Sequence, residues 1–224
     1  MLKKAGIVYT GLLIFFLAAL NSCIGVSMDI SMRQDGSGKI ALEYRFSAMA
    51  ESLGRLDGNE QWPVIPVGRS DFERTVTRIP GLKLVSFSSR EEATGDGRDM
   101  VNKAELEFKD ADALLAFLDP SGRRASIGRQ GNSHELTIAV RDPDSSEVNP
   151  DLVNLLRQVC AGYQLNVSFS ADGNSTLLLK DSNNAPFQPP AGTSIVPSGK
   201  KVSLSMGTAS VLEIKQGLKV NITW

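Results

Sequence analysis

The sequence predicts an α+β fold, a largely antiparallel sheet of hairpins with about three to four helices packed on one face, in a single domain. Three observations carry that expectation. Alternating apolar and polar runs outnumber runs of helical period, Gly, Asn and Asp clusters separate the alternating runs in pairs, and two helical stretches each end in a glycine followed by an alternating run. The last pattern is an internal echo: Gly81-Leu-Lys-Leu-Val-Ser-Phe-Ser against Gly162-Tyr-Gln-Leu-Asn-Val-Ser-Phe-Ser, each followed by a candidate hairpin return. With 42% hydrophobic and 22% charged residues in 224, the composition is that of a chain that buries a core.

In order along the chain, Val26 to Met32 alternates as a half-buried strand does. The turn Asp35-Gly36-Ser37-Gly38 leads into a second strand, Lys39 to Phe46. Ala48 to Leu56 is a short helical stretch, and Gly58 to Arg69, with two prolines and Trp62, is a loop or bent edge. Ser70 and Glu73 form a capping-box pattern for a helix carrying Phe72, Val76 and Ile79, stopped by Pro80-Gly81. Leu82 to Ser88 and Val101 to Phe108 are strands around a charged loop, Arg90 to Asp99. The helix Asp110 to Leu118 places Ala111, Leu114, Leu115 and Leu118 on one side. Strands Ala125 to Arg129 and His134 to Val140 flank Gly131-Asn132, and Asn149-Pro150-Asp151 opens a helix with Leu152, Leu155, Leu156 and Val159 inward. Tyr163 to Ser170 pairs with Ser175 to Leu179 across Asp172-Gly173-Asn174, and a Pro-rich loop runs from Asp181 to Pro197. Strands Val202 to Ser205 and Leu218 to Trp224 close the chain around a turn or short helix at Ala209 to Leu212.

At the N-terminus, Lys3 and Lys4 precede an uncharged run, Ala5 to Leu20, that is short for a membrane span and reads as the apolar part of an export signal. Leu20-Asn21-Ser22-Cys23 resembles the lipobox of bacterial lipoproteins. That resemblance implies cleavage between Ser22 and Cys23, a diacylglycerol thioether on Cys23, a signal peptide over 1–22 and one domain over 23–224. A retained anchor is the alternative, since Ala5 to Ser27 carries no charge. Both readings place the chain from Val26 onward outside the cytoplasm. Only about three residues separate Cys23 from the first strand, which at roughly 3.3–3.6 Å each keeps the domain against the bilayer. If Cys23 is acylated, Cys160 has no partner and is expected as a free, buried hydrophobe; a catalytic thiol there needs His134 as its base.

The layout of Cys23 to Phe46, with its strand, Asp-Gly turn and strand, resembles the LppM-type lipoprotein domain. So do the Asp112-Ala-Leu-Leu-Ala-Phe-Leu118 helix and the closing Gly217 to Trp224 strand. The resemblance implies a small α+β envelope lipoprotein of a family in which some members are implicated in binding lipids or lipoglycans. No catalytic motif defines that family, so Cys23 alone is carried over.

Other classes lose ground on composition. The 24 basic and 25 acidic residues nearly cancel, which argues against a nucleic-acid partner. One histidine and two cysteines leave little for a metal or a histidine-based triad, and no phosphate loop, dinucleotide fingerprint or nucleophile elbow is present. The acidic stretch Asp142 to Glu147 lacks the spacing of a calcium loop. No metal, cofactor or catalytic residue is therefore expected. Arg123, Arg124 and Arg129 are the candidate contacts to an anionic headgroup, and Phe187 and Ile195 in the Pro-rich loop are candidates to cover a cavity or pack on a sheet edge. The expected protein is a non-enzymatic lipoprotein of the bacterial cell envelope, held on the membrane through Cys23, binding a lipid, lipoglycan or other amphiphile. The alternative is a structural lipoprotein that meets an envelope protein partner.

Overall fold

The computed structural model describes residues 24–47, 68–95, 97–131, 133–143, 154, 157–158 and 160–224. The expected signal peptide with Ser22 and Cys23, the helix at 48–56, Trp62, most of the acidic loop and most of the helix at 149–162 lie outside them.

The described elements run β1 (Ile24–Met32), β2 (Gly38–Ser47), α1 (Arg69–Arg78), β3 (Leu82–Thr94), β4 (Gly97–Phe108), α2 (Ala111–Leu118), β5 (Ala125–Gln130) and β6 (Ser133–Arg141). They continue with β7 (Gln164–Ser170), β8 (Thr176–Lys180), β9 (Ser194–Ser198), β10 (Lys201–Gly207), α3 (Thr208–Glu213) and β11 (Leu218–Thr223). They form two sheets, a seven-stranded one ordered β3-β4-β2-β1-β7-β10-β9 and a four-stranded one ordered β5-β6-β11-β8. Of the pairings, only β1 with β7 is parallel, Val26 to Ser31 lying beside Leu165 to Ser170.

Period-two alternation decides which face each strand buries. In the large sheet Ile30, Ile40, Leu42, Leu106, Val167, Phe169, Val202 and Leu204 point inward, and in the small sheet Leu136, Leu177, Leu179, Val220 and Ile222 do. These side chains join in one apolar core between the sheets. Full burial of each such side chain contributes about 1.5–3 kcal/mol. The opposite face of the large sheet is polar: Lys201 bonds Asp29 at 2.5 Å, Asn166 bonds Ser27 at 3.0 Å, and Lys103 pairs with Glu43 at 2.6 Å.

Gly38 is where β2 crosses closest to its neighbours. A Cβ there would stand 2.0 Å from the Ser31 carbonyl oxygen and 2.4 Å from the Phe108 ring, so no other residue fits without displacing the hairpin.

Several expectations are corrected. The helices do not share one face of one sheet. Helix α1 buries Phe72 against Tyr44 and Phe87, α2 buries Ala113, Leu114 and Phe117 beside β3, β4 and β5, and α3 sits next to β10. The two sheets cover each other's apolar faces, which leaves the helices only local patches to close. The expected inward set of α2 is accordingly displaced: Leu115 and Leu118 are half-buried, while Phe117 points into the core. Helix α1 also starts earlier, with Asp71 accepting from the Gly68 N–H at 3.2 Å in place of the Ser70 and Glu73 cap. The hairpin expected between β7 and β8 is absent, because β7 pairs with β1 and β10 whereas β8 pairs with β11. The echo of Gly81 and Gly162 therefore ends at the strand: β3 returns through β4 and β7 has no such return. Finally, the Pro-rich loop contains β9, and Phe187 and Ile195 pack against the core edge.

Candidate functional site

The outer face of the small sheet carries a row of short and charged side chains that the core does not use. Register aligns Ser126 with Thr137 and Thr137 with Asn221, and one step along it aligns Ala139 with Lys219 and Lys219 with Lys180. Above this floor rise Gly122 to Arg124, from the turn after α2, and Asn184, from the loop after β8, enclosing an open cleft of about 520 Å³. The lining holds four cations, Arg123, Arg124, Lys180 and Lys219, against one carboxylate, Glu135.

Each wall is built locally. After α2 the chain turns on Asp119, which is 4% exposed. Its carboxylate accepts from the Ser121 N–H at 3.0 Å, the Ser121 hydroxyl at 2.5 Å, the Ala125 N–H at 3.0 Å and the Arg124 N–H. Burial works against the charged form of Asp119, but these donors outweigh it and draw the carboxyl from 3.8 down to about 2. The turn is thereby fixed with Arg123 and Arg124 at the rim. The Arg124 guanidinium meets the Asp142 carboxylate, and its carbonyl accepts from the Ala139 N–H at 2.6 Å.

On the other side, Asp181 accepts from the N–H groups of Asn183 and Ala185 at 2.8 and 2.9 Å, closing a turn in which Asn184 has φ of 65°. Asn is among the residues that tolerate that left-handed conformation. It lets Asn184 Oδ1 accept from Lys219 Nζ at 2.8 Å, while the Ser182 carbonyl accepts from the same ammonium, also at 2.8 Å. Lys180 reaches Glu135 at 3.8 Å. In the floor, Asn221 is 5% exposed and its Nδ2 donates to Thr137 Oγ1 at 3.0 Å, but its Oδ1 has no donor. A buried carbonyl oxygen without a donor costs free energy.

Of the three arginines expected to act together, Arg123 and Arg124 meet at the rim and Arg129 does not. Arg129 pairs with His134, on the same side of the ladder as Ile127 with Leu136, and so faces away from the cleft. Lys180, Lys219 and Asn221 were not singled out from sequence. They lie on strands far apart in the chain, and only the sheet order gathers them.

His134 is held by stacking on Trp224, with ring centroids 5.5 Å apart, and by a pair of backbone hydrogen bonds between the two residues. Cys160 is 1% exposed and disulfide-bonded, which overturns its reading as a free thiol. A sulfur so bonded is not a nucleophile waiting for a base. Among the described residues no helix is long and apolar enough to cross a membrane, and no group of three His, Cys, Asp or Glu stands close enough to hold a metal.

The site is thus an open, polar, cation-rimmed cleft on the face of an antiparallel sheet, a surface suited to an anionic, hydroxyl-bearing group. No family model matches the chain, and no curated protein matches it. Among solved structures it is similar to the NMR structure of the folded domain of LppM from Mycobacterium tuberculosis. The identity is 11%, over 90% of this chain and 88% of that one, with a TM-score of 0.44. No residue role is carried across from it.

Proposed function

We propose that this chain is a non-enzymatic binding domain of the bacterial cell envelope, whose cleft takes the anionic, hydroxyl-bearing headgroup of a lipid or lipoglycan at the bilayer surface. In this reading residues 1–22 carry the domain out of the cytoplasm. The observation that supports it is the cleft itself, whose lining holds four cations, Arg123, Arg124, Lys180 and Lys219, against the one carboxylate of Glu135. Cations near an anionic membrane contribute about 1 kcal/mol each, so the reading makes a measurable demand.

The test is co-sedimentation of the protein with phosphatidylglycerol vesicles and with phosphatidylcholine vesicles, for the wild type and the Lys180→Glu/Lys219→Glu variant. Preference for the anionic vesicles that salt weakens, and that the variant loses by more than about tenfold while still folded, supports the reading. Equal binding of both vesicles, or no effect of the variant, overturns it. One observation favours a protein partner instead. The large exposed apolar side chains among the described residues, Val85, Leu178 and Val196, all stand on edge strands, β3, β8 and β9. Edge strands accept a further strand from another chain.

A further inference from the structure

We infer that the free edge of β5 docks an extended, acidic segment of another protein chain, which joins the small sheet as an added strand. The inference goes beyond the headgroup reading and rests on backbone groups at the sheet edge, not on the cleft floor.

The other edge strands, which carry the exposed apolar side chains, are each partly closed. Strand β3 is bulged at Val85, and its Phe87 carbonyl accepts from the Arg69 guanidinium at 3.3 Å. In β9, Pro197 withholds an N–H from the free side. Along β8 the returning loop lies against the edge, with a bridge from Lys180 to Pro186 and the Phe187 N–H donating to the Leu179 carbonyl at 3.4 Å. Such devices discourage a further strand.

Strand β5 has no proline and no bulge. Its ladder with β6 shows which backbone groups are left over. The Ala139 N–H donates to the Arg124 carbonyl, across the step where Ala125 lies beside Ile138. Antiparallel residues alternate between bonding their neighbour and turning away from it, so Ser126 and Gly128 bond β6 while Ala125, Ile127 and Arg129 present N–H and C=O to the free side. Asp119 accepts the Ala125 N–H at 3.0 Å and so seals the start of the edge. Among the described residues no backbone group pairs with Ile127 or Arg129 on that side. Gly128 between them is exposed, and a Cβ there would meet no atom within 4 Å, so a strand can come alongside unobstructed.

Charge decides the occupant. Arg123 and Arg129 stand at the two ends of this edge, both exposed and neither in an ion pair among the described residues, whereas Arg124 meets Asp142. Two copies of β5 side by side would set these guanidiniums against their own kind, which destabilises a strand pair. Carboxylates on an incoming strand meet them as charge-assisted hydrogen bonds, while the main chain supplies the remaining affinity. A segment of about six residues matches the length of β5.

The experiment uses the full chain in non-ionic detergent and a fluorescent peptide of alternating valine and glutamate, about eight residues long. Binding is read by anisotropy, and hydrogen exchange with mass spectrometry locates the protected backbone. The expected result is salt-sensitive binding that slows exchange in Ala125 to Gln130, and no binding of the matching valine and lysine peptide. Arg129→Gln weakens binding through charge alone. Arg129→Pro, which removes an N–H that β6 does not use, weakens it by about a further tenfold at an unchanged thermal midpoint. Several outcomes overturn the proposal: no binding of the glutamate peptide, equal binding of the lysine peptide, or protection that falls on another edge. So does a peptide-free dimer in which Ala125 to Gln130 is already protected, or slowed exchange there with phosphatidylglycerol vesicles and not with the peptide.

Discussion

Replacing Asp119 with asparagine removes the charge that organises the turn from Ser121 to Ala125, and with it the seat of Arg123 and Arg124 at the cleft. The folded carboxyl titrates at about 2 against an ordinary 3.8, because four donors favour the charged form more than burial opposes it. At 1.36 kcal/mol per pKa unit, that preference is about 2–3 kcal/mol of native-state stability. The folded pKa lies below the unfolded one. The contribution is therefore complete above about pH 4 and is lost as the pH falls towards about 2. In Asp119→Asn the new amide nitrogen also faces backbone N–H groups that had been accepted by oxygen, a further cost. At neutral pH the variant is expected to lose about 2–3 kcal/mol or more, which for a chain of this size lowers the thermal midpoint by about 5–10 °C. Urea unfolding followed by circular dichroism at neutral pH and below about pH 2 measures it, with the two proteins converging at the acid end. Equal midpoints at neutral pH, or a gap that persists unchanged in acid, would refute the reasoning.

Three further outcomes are expected. Gly38→Ala forces a methyl group into the Ser31 carbonyl and the Phe108 ring; about 3 kcal/mol is lost, read as a lower urea midpoint. Phe169→Ala empties a fully buried site and removes the ring packed 4.7 Å from Trp224, costing about 3–5 kcal/mol and shifting tryptophan emission to the red. Raising the salt concentration weakens binding of anionic vesicles by the wild type, and has little effect on the Lys180→Glu/Lys219→Glu variant in the same sedimentation assay.

Local features of this fold were legible in the sequence and non-local ones were not. The hairpins β1 with β2, β3 with β4 and β5 with β6 join neighbouring alternating runs through short turns, and alternation plus turn chemistry is enough to see them. Even there, β3 and β4 extend into the charged stretch that reads as a loop, as far as Thr94 and Gly97. The turn Asp172-Gly173-Asn174 looks the same as these, yet its two flanking strands part into different sheets. Which strand lies beside β7 is decided by β1 and β10, whose apolar faces complete the core, and no local pattern carries that choice. Strand β9 was hidden by its Pro197 and its length of five residues, both ordinary for an edge.

The site divides in the same way. Arg123 and Arg124 stand next to each other in one turn and were visible as a pair. Arg129 shares the parity of Ala125 and Ile127, and that parity was the available signal that it faces elsewhere. Lys180, Lys219 and Asn221 acquire meaning only when β11 inserts between β6 and β8.

The position of β1 sets the pace at which this protein can become itself. The first described strand is a middle strand of the large sheet, and one of its flanks is completed by β7, with Ser27 waiting for Asn166 from 139 residues further on. No early portion of the chain can finish that sheet. At about 5–20 residues per second, synthesis leaves the chain without its β7 flank for roughly seven to thirty seconds. Throughout that interval the flank of β1 that β7 completes stays unpaired. The same arrangement makes the late strands a checkpoint, because a product truncated before Gln164 keeps one side of β1 bare and is left to proteases.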